Sequence, residues 1–150
     1  MTDWLGWCAA CKVETMPRTI LPVKLHEQLT VTVDDIRIDG MGIVNITPTY
    51  PLYVADALPG EKITIEVTQV DKFSGYAKVL QRLVASDQRQ NSDRQYLIDA
   101  GTAPLVNLKY QAQLDLKQAQ VQRLFAQRGL DVTVAPTIGM ADPTYYRNKT

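Results

Sequence analysis

The stretch "DGMGIVNITPTYPLYVADALPGEKITIEV", residues 39–67, decides the fold. Short runs rich in Val, Ile, Thr and Tyr alternate here with turns that contain glycine or proline, a pattern typical of short β-strands. Gly40 and Gly42 mark the first turn. Pro59 and Gly60 occupy the two central positions that suit them in a type II turn. The stretch therefore predicts three strands joined by tight turns.

The same pattern continues on both sides of this stretch. The segment before it, LTVTVDDIRID (residues 29–39), alternates apolar and polar residues and predicts one strand. The segment after it, YAKVLQRLVAS (residues 76–86), predicts another. Five short strands over residues 27–86 predict a small OB-like β-barrel, in which closure hides the strand edges. Residues 1–26 are then an N-terminal extension.

The pattern changes after residue 86. Residues 87–109 are polar or irregular and predict a linker. Residues 110–129 predict a helix that ends at Gly129, with an apolar face formed by Leu114, Val121, Leu124 and Phe125.

The segment DVTVAPTI, residues 131–138, predicts one more strand. A single helix and a single strand bury each other's apolar faces poorly, so residues 110–150 are expected to open a second, incomplete domain. The expected fold class is α+β.

Charge is unevenly distributed along the chain, although 16 basic and 16 acidic residues cancel overall. Residues 16–71 hold four basic and eight acidic residues, whereas residues 72–128 hold nine basic and four acidic ones. The basic excess has two interpretations: a surface for an anionic partner, or an ordinary solvated surface. No apolar run reaches the roughly 20 residues of a membrane span, and charges interrupt the N-terminus where a signal peptide would be apolar. We expect a cytoplasmic protein that does not contact a membrane.

The two cysteines, Cys8 and Cys11, have the C-x-x-C spacing of thioredoxin-type redox centres and of half a zinc site. No βαβ pattern follows them, and His26 is the only histidine. Incidental thiols are the main interpretation, and a metal or redox centre shared within an oligomer is the alternative. The sequence also shows no nucleotide-binding fingerprint and no cluster of reactive groups. It predicts no catalytic residue, no bound cofactor and no metal.

The order of several motifs resembles the TRAM domain that opens bacterial RNA (uracil-5-)-methyltransferases, including those that modify 23S ribosomal RNA. Within the opening stretch the matching segments are residues 40–42, 51–54 and 57–61. Further along, residues 108–121 resemble the family's helix after its cluster loop, and residues 146–149 resemble the entry into its central domain. The resemblance covers residues 28–149.

This resemblance implies that the chain is the RNA-binding N-terminal portion of a methyltransferase that uses S-adenosylmethionine. In that family a later Rossmann-like domain binds the cofactor and carries the catalytic residues, and the chain stops before it. Methyl transfer would then need a catalytic part from elsewhere, for example a separate polypeptide. The implied partner is ribosomal RNA, not DNA. A barrel that binds protein, without a role in RNA binding or methylation, is the alternative.

Many members of that family hold an iron–sulfur cluster on a cysteine-containing loop. Aligning AGTAPL, residues 100–105, with that loop places Arg94, Ala100 and Ala103 at ligand positions. Thiolates are the usual ligands of such clusters, so no cluster is expected here. Pro104 and Leu105 are expected to pack in its place.

Basic and aromatic residues around the last turn and strand of the barrel are the first candidates for RNA binding. OB-like barrels hold the RNA backbone with cations and stack exposed bases on aromatic rings. Alternation along the strand equally allows Tyr76 to lie in the core. The family resemblance adds three residues near the C-terminus. The predicted RNA-binding set is Lys72, Phe73, Tyr76, Lys78, Arg82, Arg147, Asn148 and Lys149.

Overall fold

The computed structural model describes residues 21–143, which form six strands and two helices. Mixed α+β structure confirms the predicted class. Five predicted positions lie outside the described residues: Cys8, Cys11, Arg147, Asn148 and Lys149. The elements are β1 (Gln28–Thr32), β2 (Asp35–Ile36), β3 (Gly42–Thr47), β4 (Tyr50–Val54), β5 (Lys62–Val70), β6 (Gly75–Val84), α1 (Gln95–Asp99) and α2 (Tyr110–Gln127).

All six strands belong to one sheet with the order β1-β5-β6-β4-β3-β2. Neighbouring strands are antiparallel except β4 and β6, which run parallel. The edge strands β1 and β2 are separated by only Val33 and Asp34, so the sheet must curl until its two edges meet at this bend. The Val33 amide donates to the Glu61 carbonyl and the Asp34 amide to the Ile43 carbonyl, each at 2.9 Å. This bend therefore ties both edges together.

The predicted barrel differs from this sheet at its first strand. Residues 29–39 were expected to form one strand, but they form β1 and β2 with a break between them. The reason is a change of phase: Val31 and Val33 are odd-numbered inward positions, whereas Ile36 is an even-numbered one. Because side chains alternate strictly along a strand, a shift of one residue requires a bend or a bulge. The sheet consequently has six strands and is not closed by hydrogen bonds between β1 and β2.

The main core lies inside the curled sheet. Alternate residues of β4 and β5 fill it, and five of them have no exposed surface: Leu52, Val54, Ile63, Ile65 and Val67. Burying an aliphatic side chain of this size stabilises the fold by about 1.5–3 kcal/mol. The alternation that predicted these strands therefore also identifies the core.

Two glycine turns shape the sheet. The Glu61 amide donates to the Leu58 carbonyl at 3.2 Å and Gly60 has φ +80°, which confirms the predicted type II turn. Gly40 also has a positive φ, +81°, and a Cβ at this position would lie 2.6 Å from the Cβ of Pro104. Glycine at position 40 thus lets the loop of residues 100–105 lie directly against the β2–β3 turn.

The polar segment after β6 is anchored to the rest of the chain. Arg89 and Leu108 form an isolated antiparallel bridge. Backbone amides on both sides of the bridge are bonded, since Gln90 donates to the Asn107 carbonyl at 2.8 Å and Lys109 donates to the Gln88 carbonyl at 2.9 Å. This pairing brings the start of α2 beside the sheet.

Helix α2 confirms the predicted helix, and its C-terminus is capped as expected. Gly129 has φ +69°, its amide donates to the Ala126 carbonyl, and the Leu130 amide donates to the Phe125 carbonyl, which together form a Schellman motif.

The predicted apolar face of α2 is only partly correct. Ala112 and Leu114 are buried, whereas Val121 and Leu124 are 41% and 61% exposed. The N-terminal half of the helix packs against Leu108, which belongs to a second core cluster with Ile36, Leu58 and Ala112. Leu105 also packs on this cluster, as expected for the residue that follows Pro104. Helical spacing predicted a continuous stripe, but the helix docks through its first turns.

Helix α2 also covers the exposed edge of β2. Gln120 donates through Nε2 to the Ile36 carbonyl at 3.1 Å, and Arg123 contacts both carboxylate oxygens of Asp35 at 2.6 and 3.2 Å. Covering an edge strand in this way removes a site for unwanted strand pairing.

The strand predicted over residues 131–138 is wrong, because this segment has no regular secondary structure. Two glutamines of α2 bind its backbone instead: Gln118 donates to the Val134 carbonyl at 2.9 Å, and Gln122 donates to the Val132 carbonyl at 2.7 Å. The Val134 amide in turn donates to Gln122 Oε1 at 2.9 Å. Side-chain amides therefore supply the hydrogen bonds that a neighbouring strand would provide.

Candidate nucleic-acid interface

Two tyrosines lie side by side on the outer surface of the sheet. Tyr53 of β4 pairs in register with Tyr76 of β6, so their side chains share a face. The ring centroids are 5.6 Å apart and the ring planes are tilted by 51°. Leu52 and Val54, on either side of Tyr53, are fully buried, which directs Tyr53 outward. The sequence allowed Tyr76 either a core or a surface position, and the structure places it on the surface.

An arginine extends this row of rings. The guanidinium carbon of Arg37 lies 4.7 Å from the centroid of Tyr53, a cation–π contact. Its Nη2 also lies 3.0 Å from Asp39 Oδ2, in a pair with about two-fifths of each side chain exposed. We call Arg37, Tyr53 and Tyr76 the tyrosine platform. A guanidinium plane and two rings thus lie next to one another on the surface, and such planar groups can stack on bases.

The β5–β6 turn lies at one end of β6 and carries two further predicted residues. Phe73 is 73% exposed, and Lys72 Nζ lies 5.2 Å from the centroid of its ring. The turn is held from inside, because the Tyr50 hydroxyl lies 2.9 Å from the Asp71 carbonyl and 2.7 Å from the Ser74 carbonyl. Burial raises the pKa of Tyr50, so this hydroxyl keeps its proton and its hydrogen bond. The exposed Phe73 therefore stands on a fixed loop.

Lys78 is exposed but paired. Its Nζ lies 3.0 Å from Glu66 Oε2, and His26 Nδ1 lies 3.0 Å from the other oxygen of the same carboxylate. Hydrogen bonds from His26 and then Lys78 lower the pKa of Glu66, which therefore stays ionised. Lys78 must leave this half-buried carboxylate in order to contact an RNA phosphate.

Arg82 has a different environment from the other predicted residues. Its Nε donates to Glu61 Oε2 at 3.2 Å, and its Nη2 donates to the Asp56 carbonyl at 2.8 Å. These contacts belong to a largely buried network, so the positive charge of Arg82 is compensated within the protein. The structure groups Lys72, Phe73, Tyr76 and Lys78 near the turn and assigns Arg82 to the network.

Glu61 is the centre of that network and has no exposed surface. Arg89 donates to it through Nε at 2.6 Å and through Nη2 at 2.9 Å, a bidentate pair. The backbone amides of Leu58 and Ser86 also donate to its oxygens, at 3.0 and 3.2 Å. Burial alone would raise the pKa of Glu61, but the hydrogen bonds from Arg89 and these amides outweigh it and lower the pKa to about 2. The carboxylate is charged at every physiological pH.

Asp56 completes the network from a strained position, with φ +53°. Its Oδ1 accepts from Arg89 Nη1 and from Asn107 Nδ2, both at 2.9 Å, and its carbonyl accepts from Arg89 Nη2 at 2.9 Å. Strained backbone of this kind persists only where surrounding contacts hold it. The network connects β4, the turn before β5, β6 and the segment leading to α2, and so it fixes the barrel to the helical part of the chain.

These contacts change the meaning of the charge asymmetry in the sequence. Six ion pairs among the described residues join a carboxylate of residues 16–71 to a cation of residues 72–128. Four of the eight acidic residues in the first range and four of the nine cations in the second are therefore paired with each other. The pairs are Glu66–Lys78, Asp56–Arg82, Glu61–Arg82, Asp56–Arg89, Glu61–Arg89 and Asp35–Arg123.

The loop aligned with the iron–sulfur segment forms a compact turn after α1. The amides of Thr102 and Ala103 both donate to the Leu97 carbonyl, at 2.9 and 3.1 Å. Arg94 and Ala100 are exposed, and Ala103 is half-buried. Within residues 21–143, no group of three or more His, Cys, Asp or Glu side chains is placed to hold a metal ion. The helices in this range are also too short or too polar to cross a membrane.

Two platform residues, Arg37 and Tyr53, were missed by the sequence prediction. A signal for Tyr53 was present, because it is an aromatic residue between two aliphatic positions of a strand, Leu52 and Val54, that face the core. Arg37 carried no comparable signal, since its approach to Tyr53 depends on the pairing of β3 with β4 across a turn.

Known proteins resemble this chain over most of its length. The TRAM domain model matches residues 22–80, the range that contains the platform and the β5–β6 turn. A protein of Lactiplantibacillus plantarum named uncharacterized RNA methyltransferase is 44% identical over 130 residues, 86% of this chain. Residues 22–80 therefore resemble a TRAM domain, and the chain is similar to this relative over most of its own length. A protein of the same name from Enterococcus faecalis is 40% identical over 130 residues, 85% of this chain.

The chain spans 28% of the length of each of these two relatives. A third relative, from Halalkalibacterium halodurans and also named uncharacterized RNA methyltransferase, is 37% identical over 136 residues. The aligned residues make up 89% of this chain and 30% of the relative. Among solved structures, a conserved protein of Methanococcus maripaludis is 25% identical, with a TM-score of 0.40 over 43% of this chain and 91% of that one.

Proposed function

We propose that this chain binds RNA through the tyrosine platform and the β5–β6 turn, and holds it for uracil-5 methylation of 23S ribosomal RNA. The observation that carries the proposal is the row formed by Arg37, Tyr53 and Tyr76 on an outer face of the sheet. The match to the TRAM domain model and the similarity to a protein named RNA methyltransferase support the proposal. We place the protein in the cytoplasm, where ribosomal RNA is modified.

The platform suits unpaired bases better than a duplex. Bases in single-stranded loops can be splayed out and stacked on aromatic rings and on guanidinium planes, whereas paired bases are shielded by their neighbours. Phe73, on the β5–β6 turn, offers a further exposed ring, and Lys72 and Lys78 offer charge for the backbone. Stacking tolerates any base, so the platform binds RNA without base preference. Recognition of the target uridine then belongs to groups outside the platform.

Methyl transfer itself is assigned to another part of the protein or its complex. No residue of this chain is proposed to bind S-adenosylmethionine or to react with uridine. The role of this chain is to raise the residence time of the RNA near the catalytic part, which lowers the entropic cost of bringing the uridine into position.

The proposal is tested by fluorescence anisotropy with a labelled uridine-rich RNA hairpin from 23S ribosomal RNA. Tyr53→Ala and Tyr76→Ala should each weaken binding by about 1–3 kcal/mol, the usual contribution of a stacked base. Tyr96→Ala is the matched control, because Tyr96 is 63% exposed on α1 and lies outside the platform. Urea unfolding of the same variants separates lost contacts from lost structure.

If about three phosphates are contacted, log K should fall with log salt at a slope of about −2 to −3. An affinity that does not depend on salt, or that is equal in Tyr53→Ala, Tyr76→Ala and wild type, would contradict the proposal. That result would favour a barrel that binds protein instead.

A further inference from the structure

A cavity of about 650 Å³ lies away from the tyrosine platform, between α2, the segment that leads into α1 and residues 140–143. Ligand sites in proteins commonly enclose about 300–1,000 Å³. The volume is far more than one ion or one water molecule needs. It suits a group the size of a nucleotide.

Hydrogen bonds and close packing hold one wall of this cavity in place. Tyr110 lines it, and its hydroxyl accepts a hydrogen bond from the Met140 amide at 2.8 Å. Gly139 permits this approach, because a Cβ there would lie 2.8 Å from Leu114 Cδ1. The Thr137 hydroxyl donates to the Leu114 carbonyl at 3.0 Å and holds the same segment against α2.

The opposite wall is equally constrained. Gln113 donates through Nε2 to the carbonyls of Leu105 and Leu108, at 3.1 and 2.8 Å, and Gln90 donates to the Val106 carbonyl at 2.8 Å. Both glutamines line the cavity. A ligand would therefore enter a site that is largely formed in advance, which reduces the entropy lost on binding.

The charges that line the cavity have one sign. Arg94 and Lys117 are the ionisable cations of its lining, and none of its eight lining residues is acidic. Neither cation forms an ion pair with a carboxylate in residues 21–143, in contrast to Arg82, Arg89 and Arg123. Two cations that have no carboxylate partner within the described residues, beside a preformed cavity, favour an anionic ligand.

We propose that this cavity binds one phosphate-bearing nucleotide, with its phosphate near Arg94 and Lys117 and its base beside Tyr110. Arginine and lysine are the usual phosphate-binding side chains, and an aromatic residue supplies a surface for a base. The nucleotide is either one unit of an RNA strand or a free mononucleotide. In the first case the inference rests on the proposed function and adds a second contact for the same RNA.

The test measures binding of uridine 5′-monophosphate, uridine and the labelled RNA hairpin to the whole chain and to charge variants. Arg94→Gln and Lys117→Gln should each weaken uridine monophosphate or RNA binding by about tenfold, as expected for a lost hydrogen bond to a charged group. Arg94→Lys should recover part of the loss at position 94. Lys62→Gln, which removes an exposed charge from β5, should bind both ligands like wild type.

The outcomes distinguish the sources of the ligand. Weaker binding of uridine monophosphate, of RNA or of both by Arg94→Gln and Lys117→Gln supports the cavity as a nucleotide site. The ligand that is affected identifies which form the cavity accepts. Equal affinities in wild type, Arg94→Gln and Lys117→Gln for both ligands would overturn it. So would binding of uridine as tight as uridine monophosphate, because the phosphate would then have no role.

Platform variants separate this inference from the proposed function. Tyr53→Ala should weaken RNA binding and leave uridine monophosphate binding unchanged. If Tyr53→Ala and Tyr76→Ala bind RNA like wild type while Lys117→Gln does not, the platform proposal fails and the nucleotide site stands.

Discussion

Arginines serve two regions of this molecule in opposite ways. In the network around Glu61, Arg89 is bound by two carboxylates and a backbone carbonyl, and its side chain is almost completely buried. On the tyrosine platform, Arg37 lies over a ring with about two-fifths of its side chain exposed. The first arginine is committed to holding the fold, whereas the second retains a face and donors for a ligand.

The difference shows why counting charges along a sequence overestimates a binding surface. Four of the nine cations in residues 72–128 are paired with carboxylates from the first half of the chain, namely Lys78, Arg82, Arg89 and Arg123. A buried, hydrogen-bonded pair cannot be exchanged for a phosphate without leaving a desolvated charge behind. Only the exposed cations are available to RNA.

The largest effect is expected from Glu61→Gln. Removing this charge leaves Arg82 and Arg89 to share one carboxylate, that of Asp56, in a desolvated place, and breaking a buried pair costs about 3–5 kcal/mol. Urea unfolding should show a lower midpoint with an unchanged slope. Glu66→Gln is the matched control, because it removes the partner of two exposed side chains, Lys78 and His26, and surface pairs contribute only about 0–1 kcal/mol. Equal losses in the two variants would contradict the comparison.

Acid should weaken the network around Glu61. The pKa of Glu61 is about 2 in the folded chain, below its ordinary value of 4.5. A lowered pKa stabilises the folded state fully above pH 4.5 and loses that stabilisation as the pH falls toward 2, by about 3 kcal/mol in total. Stability measured by urea between pH 7 and pH 2 should show this loss in wild type. The loss should be reduced in Glu61→Gln, and a parallel pH dependence in both would remove Glu61 as its source.

Gly40 connects the turn beside the platform to the loop of residues 100–105, and a matched glycine isolates that contact. Gly40 and Gly60 have nearly equal φ, +81° and +80°, but only Gly40 faces another residue, Pro104. Alanine at either position should cost about 1–2 kcal/mol for the left-handed backbone. Gly40→Ala should cost a further 1–3 kcal/mol, roughly, for the clash with Pro104. Thermal unfolding of both variants measures the difference, which vanishes if the loop moves away freely.

The smallest expected effect is a difference between two lysines near the platform in the salt dependence of RNA binding. Lys72 has no carboxylate partner among residues 21–143, whereas Lys78 is paired with Glu66. Lys72→Ala should reduce the slope of log K against log salt by about one for RNA binding. Lys78→Ala should reduce it by less, because Lys78 must first leave Glu66. A larger change for Lys78 would show that its pair does not limit RNA binding.

Much of the sheet followed from the sequence because local rules suffice for it. Strand alternation identified the strands that carry the buried Leu52, Ile63 and Val67, and Pro59 with Gly60 identified a type II turn. The bend after Val33 could also have been found, since the inward positions change from odd to even there. The candidate site was less predictable: Phe73 and Tyr76 were identified, but Arg37 and Tyr53 were not. The strand predicted over residues 131–138 failed because glutamine side chains of α2 bind that backbone.

By itself, the sequence determined the elements whose causes are local: strand periodicity, glycine and proline turns, and the Gly129 end of α2. Tertiary structure alone decided which charges remain available. Glu61 and Arg89 are 28 positions apart, and Asp35 and Arg123 are 88 apart. Nothing within a few residues of either cation indicates that a carboxylate will meet it. Only the folded chain sets burial and distance, and these decide whether an arginine stabilises a core or faces a ligand.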